Sequence, residues 1–375
     1  MSDALRSPYP WFGGKRRVAD VVWRAFGPDV PNFIDPAFGS NSILLARPNG
    51  AGKIETINDA DRMVANFWRA VSADPWTVAE WCDRPVNEAD LHATHLWLVQ
   101  NLRPGAEFRE LMHSDPVYCD PKMAGIWCAG LCSWIGGGWC VEPHNHKHPK
   151  LDGIDKGVHS SLPEQISASD PVRAYSAGLR PALSSAGQGV HLPGLGNHRG
   201  VHGVSTQPGS FLHALRELSV PDAPPCFAWF QALMLRMRRV RVACGDWQRV
   251  LGDSVLGKGK NVGGRRPCAV FLDPPYGHDV RNPYLYAEDS ATIAVSMREW
   301  ALEHGDDPEL RICLAGYFSE HAEPMARAGW TVHRWKGARG YAGDDNDNRE
   351  QETLWFSPHC LPLEQQRSLF DRETA

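Results

Sequence analysis

Short apolar runs alternate with helix-patterned stretches along the second half of this chain, and that alternation restricts the folds open to it. Runs at Val240 to Cys244, Ala269 to Asp273, Leu310 to Ala315, Thr331 to Trp335 and Glu352 to Phe356 read as strands. Between them Phe227 to Met237, Thr292 to Glu303 and Ser319 to Ala328 carry apolar positions at helical spacing. Nearly continuous apolar strands separated by helices form a mostly parallel, doubly wound α/β sheet with both faces covered. The short polar return between Trp335 and Glu352 predicts an antiparallel pair at its end.

The strand at 269 ends in Asp273-Pro274-Pro275-Tyr276. Chance would supply that tetrapeptide in on the order of 0.003 occurrences per chain of this composition. An aromatic exocyclic amine is a poor nucleophile because its lone pair is delocalised into the ring. Asp273 and the Pro274 carbonyl can accept hydrogen bonds from its two protons, and two prolines hold that carbonyl without an N–H to compete. The Tyr276 ring can stack on a planar base.

Three further segments carry chemistry. Asn32 to Asp35 reads as a strand entering a tight turn through Pro36, Ala37, Phe38 and Gly39, followed by a short helix at Ile43 to Leu45. There Gly39 lets the backbone approach a ligand, and Asp35 offers a carboxylate to an ammonium or sulfonium group. Lys53 to Asp59 reads as the next parallel strand. Its terminal Asp59, about twenty residues past the glycine turn, suits ribose hydroxyls, whereas Asp61 suits the N-cap of the helix carrying Met63, Val64, Phe67 and Trp68. Pro10-Trp11-Phe12-Gly13-Gly14-Lys15 precedes a helix with Val18, Val21, Val22, Ala25 and Phe26 on one face, capped by Gly27. Lys15 can reach a carboxylate, and Trp11 can cover an adenine ring.

In this order Pro-Trp-Phe-Gly-Gly-Lys, Asp-Pro-Ala-Phe-Gly-Ser, Asn-Asp-Ala-Asp and Asp-Pro-Pro-Tyr resemble the DNA adenine methylase family of S-adenosylmethionine-dependent enzymes. The resemblance covers roughly residues 8 to 72 and 226 to 357. It implies a Rossmann-like methyltransferase fold, cofactor contacts at Trp11, Lys15, Asp59 and Asp273, and methyl transfer from S-adenosylmethionine to the 6-amino group of an adenine flipped out of duplex DNA. A site-specific enzyme of this kind, with or without a paired restriction nuclease, acts as a monomer or weak dimer. Asn41 departs from the family's usual glycine, and because Asn tolerates left-handed φ it predicts a changed turn with the cofactor site kept. Related strand-end tetrapeptides leave cytosine, RNA and protein amides open as acceptors. A DNA-binding regulator with an inactive methylase domain is the reading from another class. A nicotinamide oxidoreductase ranks last, since the first turn lacks the three-glycine signature.

With 375 residues and 42% hydrophobic content the chain can hold a catalytic domain, 1–72 and 226–375, interrupted by an insertion at 73–225. The insertion is expected to read the target. Gly130 to Trp139 looks like a glycine-rich hairpin with exposed aromatics, from which Trp134 or Trp139 can wedge into a base stack. Residues 143 to 210, rich in Gly, Pro, Ser and His, read as long loops. Cys128, Cys132 and Cys140 with His144, His146 and His148 fit no common zinc spacing, so no metal is expected. The absence of a signal peptide or long apolar span predicts a cytoplasmic protein acting on DNA. Net charge is −5, yet Arg236 to Arg266 holds nine basic residues against Asp246 and Asp253, a local +7. Arg236, Arg239, Lys258, Lys260 and Arg265 are therefore expected at DNA phosphates.

Overall fold

A computed structural model describes residues 5–11, 14–48, 50, 52–84, 86–102, 106–134, 139, 226–258, 266–275, 292–335 and 352–363. Seven strands, β1 (Asn32–Asp35), β2 (Ile54–Asp59), β3 (Val240–Cys244), β4 (Cys268–Leu272), β5 (Leu310–Tyr317), β6 (Thr331–Arg334) and β7 (Glu352–Phe356), form one sheet in the order β3-β2-β1-β4-β5-β7-β6. The first five in that order are parallel, and β7 runs antiparallel to both β5 and β6. The doubly wound α/β class and the antiparallel closing pair expected from the sequence are both present.

Side-chain alternation divides the core into two layers. Phe33, Ala269, Phe271, Cys313, Ala315, Leu354 and Phe356 point to one face, and Ile34, Cys268, Val270, Leu272, Ile312, Leu314 and Trp355 to the other. That period of two on strands buried on both sides explains why their sequences are continuously apolar. Each fully buried aromatic or aliphatic side chain among them contributes about 1.5–3 kcal/mol. On the first face lie α1 (Ala19–Phe26), the short α2 (Ser42–Leu45) and α3 (Arg62–Ala73). On the second lie α9 (Ile293–His304) and α10 (Phe318–Arg327), through Met297, Ala301 and Met325.

The described part of the segment expected as an insertion is helical: α4 (Pro75–Cys82), α5 (Glu88–Leu102), α6 (Ala106–Ser114) and α7 (Pro121–Ser133). Helices α4 and α7 pack on each other and, with α8 (Phe227–Met237), against α3, so they extend the first core layer. Asp74 and Asp120 start α4 and α7 by accepting the backbone N–H groups of Thr77 and Met123, each ahead of a proline in the first turn. Among the described residues no helix is long and apolar enough to cross a membrane.

Gly130 to Ser133 is the last turn of α7, which corrects the first part of the expected glycine-rich hairpin, and residues 135–138 lie outside the described residues. A Cβ at Gly130 would lie 1.8 Å from the Trp139 ring, so the glycine makes room for packing. Trp139 is buried and donates its indole N–H to the Trp127 carbonyl at 3.1 Å. Trp134 is half-buried and stacks on His95 at 5.0 Å. Neither ring stands free as an exposed wedge.

Candidate active site

Strand order reverses between β1 and β4: the chain runs outward through β2 and β3 on one side and through β5 on the other. A crevice opens at the carboxyl ends of the strands beside such a switch point. Here it is an open cleft, with about 950 Å³ of empty space when its mouth is included. Its lining includes Trp11, Lys15, Asp35, Phe38, Gly39, Asp59, Asp246, Trp247, Asp273 and Pro275.

The turn after β1 is fixed from several sides. Gly39 has φ +48°, and a Cβ there would meet the Trp11 indole nitrogen at 2.4 Å, so a side chain is excluded by both backbone and neighbour. Its N–H donates to Asp59 Oδ2 at 2.9 Å. Its carbonyl accepts from the buried Tyr9 hydroxyl at 3.0 Å, which in turn accepts from Trp68 Nε1 at 2.8 Å. Asn41 takes the left-handed φ of +60° expected of it, and its N–H donates to the Phe38 carbonyl at 2.8 Å.

Strands β2 and β3 supply the floor. Asn58 donates through Nδ2 to the carbonyls of Pro36 and Gly245, at 3.0 and 2.9 Å, tying three strand ends together. Asp59 Oδ1 accepts the Asp61 N–H at 2.8 Å, and Asp61 caps α3 through the Met63 N–H at 2.8 Å, as expected of Asp61 from the sequence. Asp246 and Trp247, directly after β3, were not anticipated. The register sets Cys244 beside Asp59, and Asp246 and Trp247 follow after Gly245; a strand followed by Gly-Asp is the signal available.

From β4 comes Asp273, whose Oδ1 lies 2.9 Å from Lys15 Nζ; the lysine is 2% exposed and the aspartate 22%. Lys15 opens a single 3-10 turn, Lys15–Val18, and Gly14 before it has φ −52°, a conformation any residue adopts. Burial raises the Asp273 carboxyl above its ordinary pKa, and Lys15 opposes that rise. Burial also raises Asp35 well above the carboxylate range, with Asp273 adding repulsion and the Ala37 backbone N–H opposing. Asp59 is raised to about 7, by burial first and Asp61 second. Asp35 Oδ1 is buried with no hydrogen-bond partner among the described residues.

Among the described residues the cleft lining thus holds five carboxyl groups, Asp35, Asp59, Asp61, Asp246 and Asp273, against the single ammonium of Lys15. Such a lining favours a ligand carrying positive charge and hydroxyl donors. All the proposed cofactor residues, Trp11, Lys15, Asp35, Phe38, Gly39, Asp59 and Asp273, meet in it, as does Pro275 of the proposed catalytic group. Pro274 is buried beside them, and Tyr276 lies outside the described residues.

Among the described residues, no side chain of the basic stretch lines this cleft. Arg236 donates twice to Glu55, at 2.6 and 2.9 Å, and once to the Leu44 carbonyl. Arg47 pairs with the same buried carboxylate at 3.1 Å. The expected phosphate contact of Arg236 is therefore corrected: its guanidinium serves an internal ion triad, because a buried Glu55 needs cationic partners. Lys258 pairs with Asp307 at 3.4 Å, alongside Arg266, and both precede β4 at the amino ends of the parallel strands, away from the cleft. Arg239 is exposed at that same far edge. Lys260 and Arg265 lie outside the described residues. No protein-family model matches the chain, and no curated protein matches it.

Proposed function

We propose that this chain is an S-adenosylmethionine-dependent DNA methyltransferase acting on the 6-amino group of adenine in duplex DNA. The observation that carries the reading is the Lys15–Asp273 pair, 2.9 Å apart, in one cleft with the Gly39 turn and Asp59. Motifs separated by more than two hundred residues converge there in the order of the resemblance. The seven-stranded order with its antiparallel β7 is compatible with a Rossmann-like methyltransferase sheet.

The residues fit the cofactor. A sulfonium and an ammonium suit a cleft rich in carboxylates, where a pyrophosphate-bearing nicotinamide cofactor meets repulsion. The buried, unpartnered Asp35 Oδ1 is an acceptor in want of a donor. Each Asp59 oxygen accepts one backbone N–H and keeps a lone pair for a hydroxyl. Trp11, Lys15, Asp35, Phe38, Gly39, Asp59 and Asp273 would hold the group. When bound, S-adenosylmethionine supplies a methyl group made electrophilic by its sulfonium.

Asp273 and the Pro274 carbonyl accept hydrogen bonds from the two amine protons, drawing the nitrogen lone pair out of the ring. Asp273 must be ionised to do so, and Lys15 favours that form against burial. The base has to leave the duplex because its amine is otherwise paired, and Tyr276 is the ring assigned to stack on it. Parallel assays with labelled methyl donor on DNA, RNA and protein test the substrate. Label confined to adenine in DNA is the expected outcome; label on cytosine, RNA or protein would replace the reading.

A further inference from the structure

We propose that the arginines at the amino-terminal edge of β2 and β3 form a second nucleic-acid surface, holding the phosphate backbone of a DNA segment other than the one entering the cleft. The proposal rests on the DNA reading above for the class of its partner.

Lys53, Arg238, Arg239 and Arg241 are exposed, and none forms an ion pair among the described residues. The parallel register sets Glu55 beside Val240 and Thr56 beside Arg241, so Lys53 and Arg238 enter the sheet side by side. Beneath them the triad of Arg47, Glu55 and Arg236 retains one positive charge. Asp29 is an exposed acid at that edge, and the exposed Asp253 lies in the loop held against the start of β1. Soluble surfaces ordinarily intersperse both signs, and a one-sign cluster on a chain of net charge −5 is a local field for anions. Arginine supplies forked donors that match phosphate oxygens.

Position argues for a separate segment. Strands of five and six residues put the patch roughly 15–20 Å from the carboxyl-end cleft. The cleft itself is lined by carboxylates, so phosphate attraction on the sheet's β2–β3 side is concentrated at the opposite edge. A duplex presenting a base at one edge leaves the other available to a neighbouring stretch of the same long molecule.

The test is fluorescence anisotropy of labelled duplex DNA with the full chain across a salt series. Replacing three phosphate-contacting arginines lowers the slope of log affinity against log salt by about 2.7, at roughly 0.9 per contact. R238Q/R239Q/R241Q should show that loss; an unchanged slope overturns the proposal. Should the triple variant fail to fold, R239Q/R241Q carries the same test with an expected loss of about 1.8. Because the readout is binding, its outcome is separate from catalysis. A wild-type chain that shows the arginine-dependent slope and transfers no methyl group keeps this surface and refutes the activity proposed above.

Discussion

At residue scale, the account turns on Lys15 and Asp273. Removing the lysine's charge leaves burial unopposed, so the Asp273 pKa rises further and a higher pH is needed to ionise it for the amine's hydrogen bond. K15M should therefore move the acidic limb of the kcat/KM profile upward, and an unmoved limb would separate Lys15 from the carboxylate's ionisation. For Asp273 itself, Asn is a cleaner replacement than Ala: it keeps an oxygen near a lysine that is 2% exposed, where Ala mixes a folding effect into the loss of activity. Gly39 offers a second probe. G39A combines φ strain with a collision at Trp11, and raises the cofactor KM by roughly tenfold or more, about 1.4 kcal/mol; a KM within twofold of wild type contradicts its role. These residues were legible in the sequence because their chemistry is tied to strand ends, where an acid or glycine follows an apolar run. Asp246 and Trp247 were missed because Gly-Asp after a strand reads equally as an ordinary turn. The Tyr9 brace on Gly39 joins positions thirty residues apart, and no local pattern announces it.

At the scale of elements, period and capping located the strands and sheet helices well. Strands at 240–244 and 352–356 and the helix at 227–237 lie where expected, since fully buried strands leave continuous apolar runs. The layer α4 to α7 is not legible in the sequence: the tryptophans and glycines at 130–139 resemble a hairpin until tertiary packing sets Trp139 against Gly130. The basic stretch misled for a related reason, because a one-dimensional charge count cannot see Glu55 across the fold. R236A should thus act on stability. It leaves Glu55 with Arg47 as its remaining ion-pair partner among the described residues, and the lost charged hydrogen bonds cost about 1.5–3 kcal/mol, a fall in Tm of about 5 °C. R239A should leave Tm within about 2 °C. Thermal melts of the two variants decide the matter; equal, small shifts would remove the triad from the account of the fold.

For the whole molecule, the described carboxylates line the cleft at one edge of the sheet and exposed arginines stand at the far end of β2 and β3. Folded Asp35 and Asp59 keep their protons to higher pH than in the unfolded chain. The folded state consequently binds more protons; the stability that Asp59 contributes falls as pH rises from about 4 to about 7, and Asp35 acts in the same direction. A cationic ligand that favours their ionised forms should bind more tightly above about pH 7 than below it and release protons on binding. Calorimetry in buffers of differing ionisation enthalpy measures that release; proton uptake instead would contradict the charge assignment. The most direct measurement of the central claim pairs two readouts on wild type and D273N: cofactor affinity by titration, and N6-methyladenine formed on DNA in a single turnover. The account predicts methylated adenine from wild type, a loss of at least about a hundredfold in the variant, and cofactor affinity changed by less than tenfold. Undiminished transfer by D273N, or no methylated adenine from a wild-type chain that binds cofactor and DNA, would contradict it.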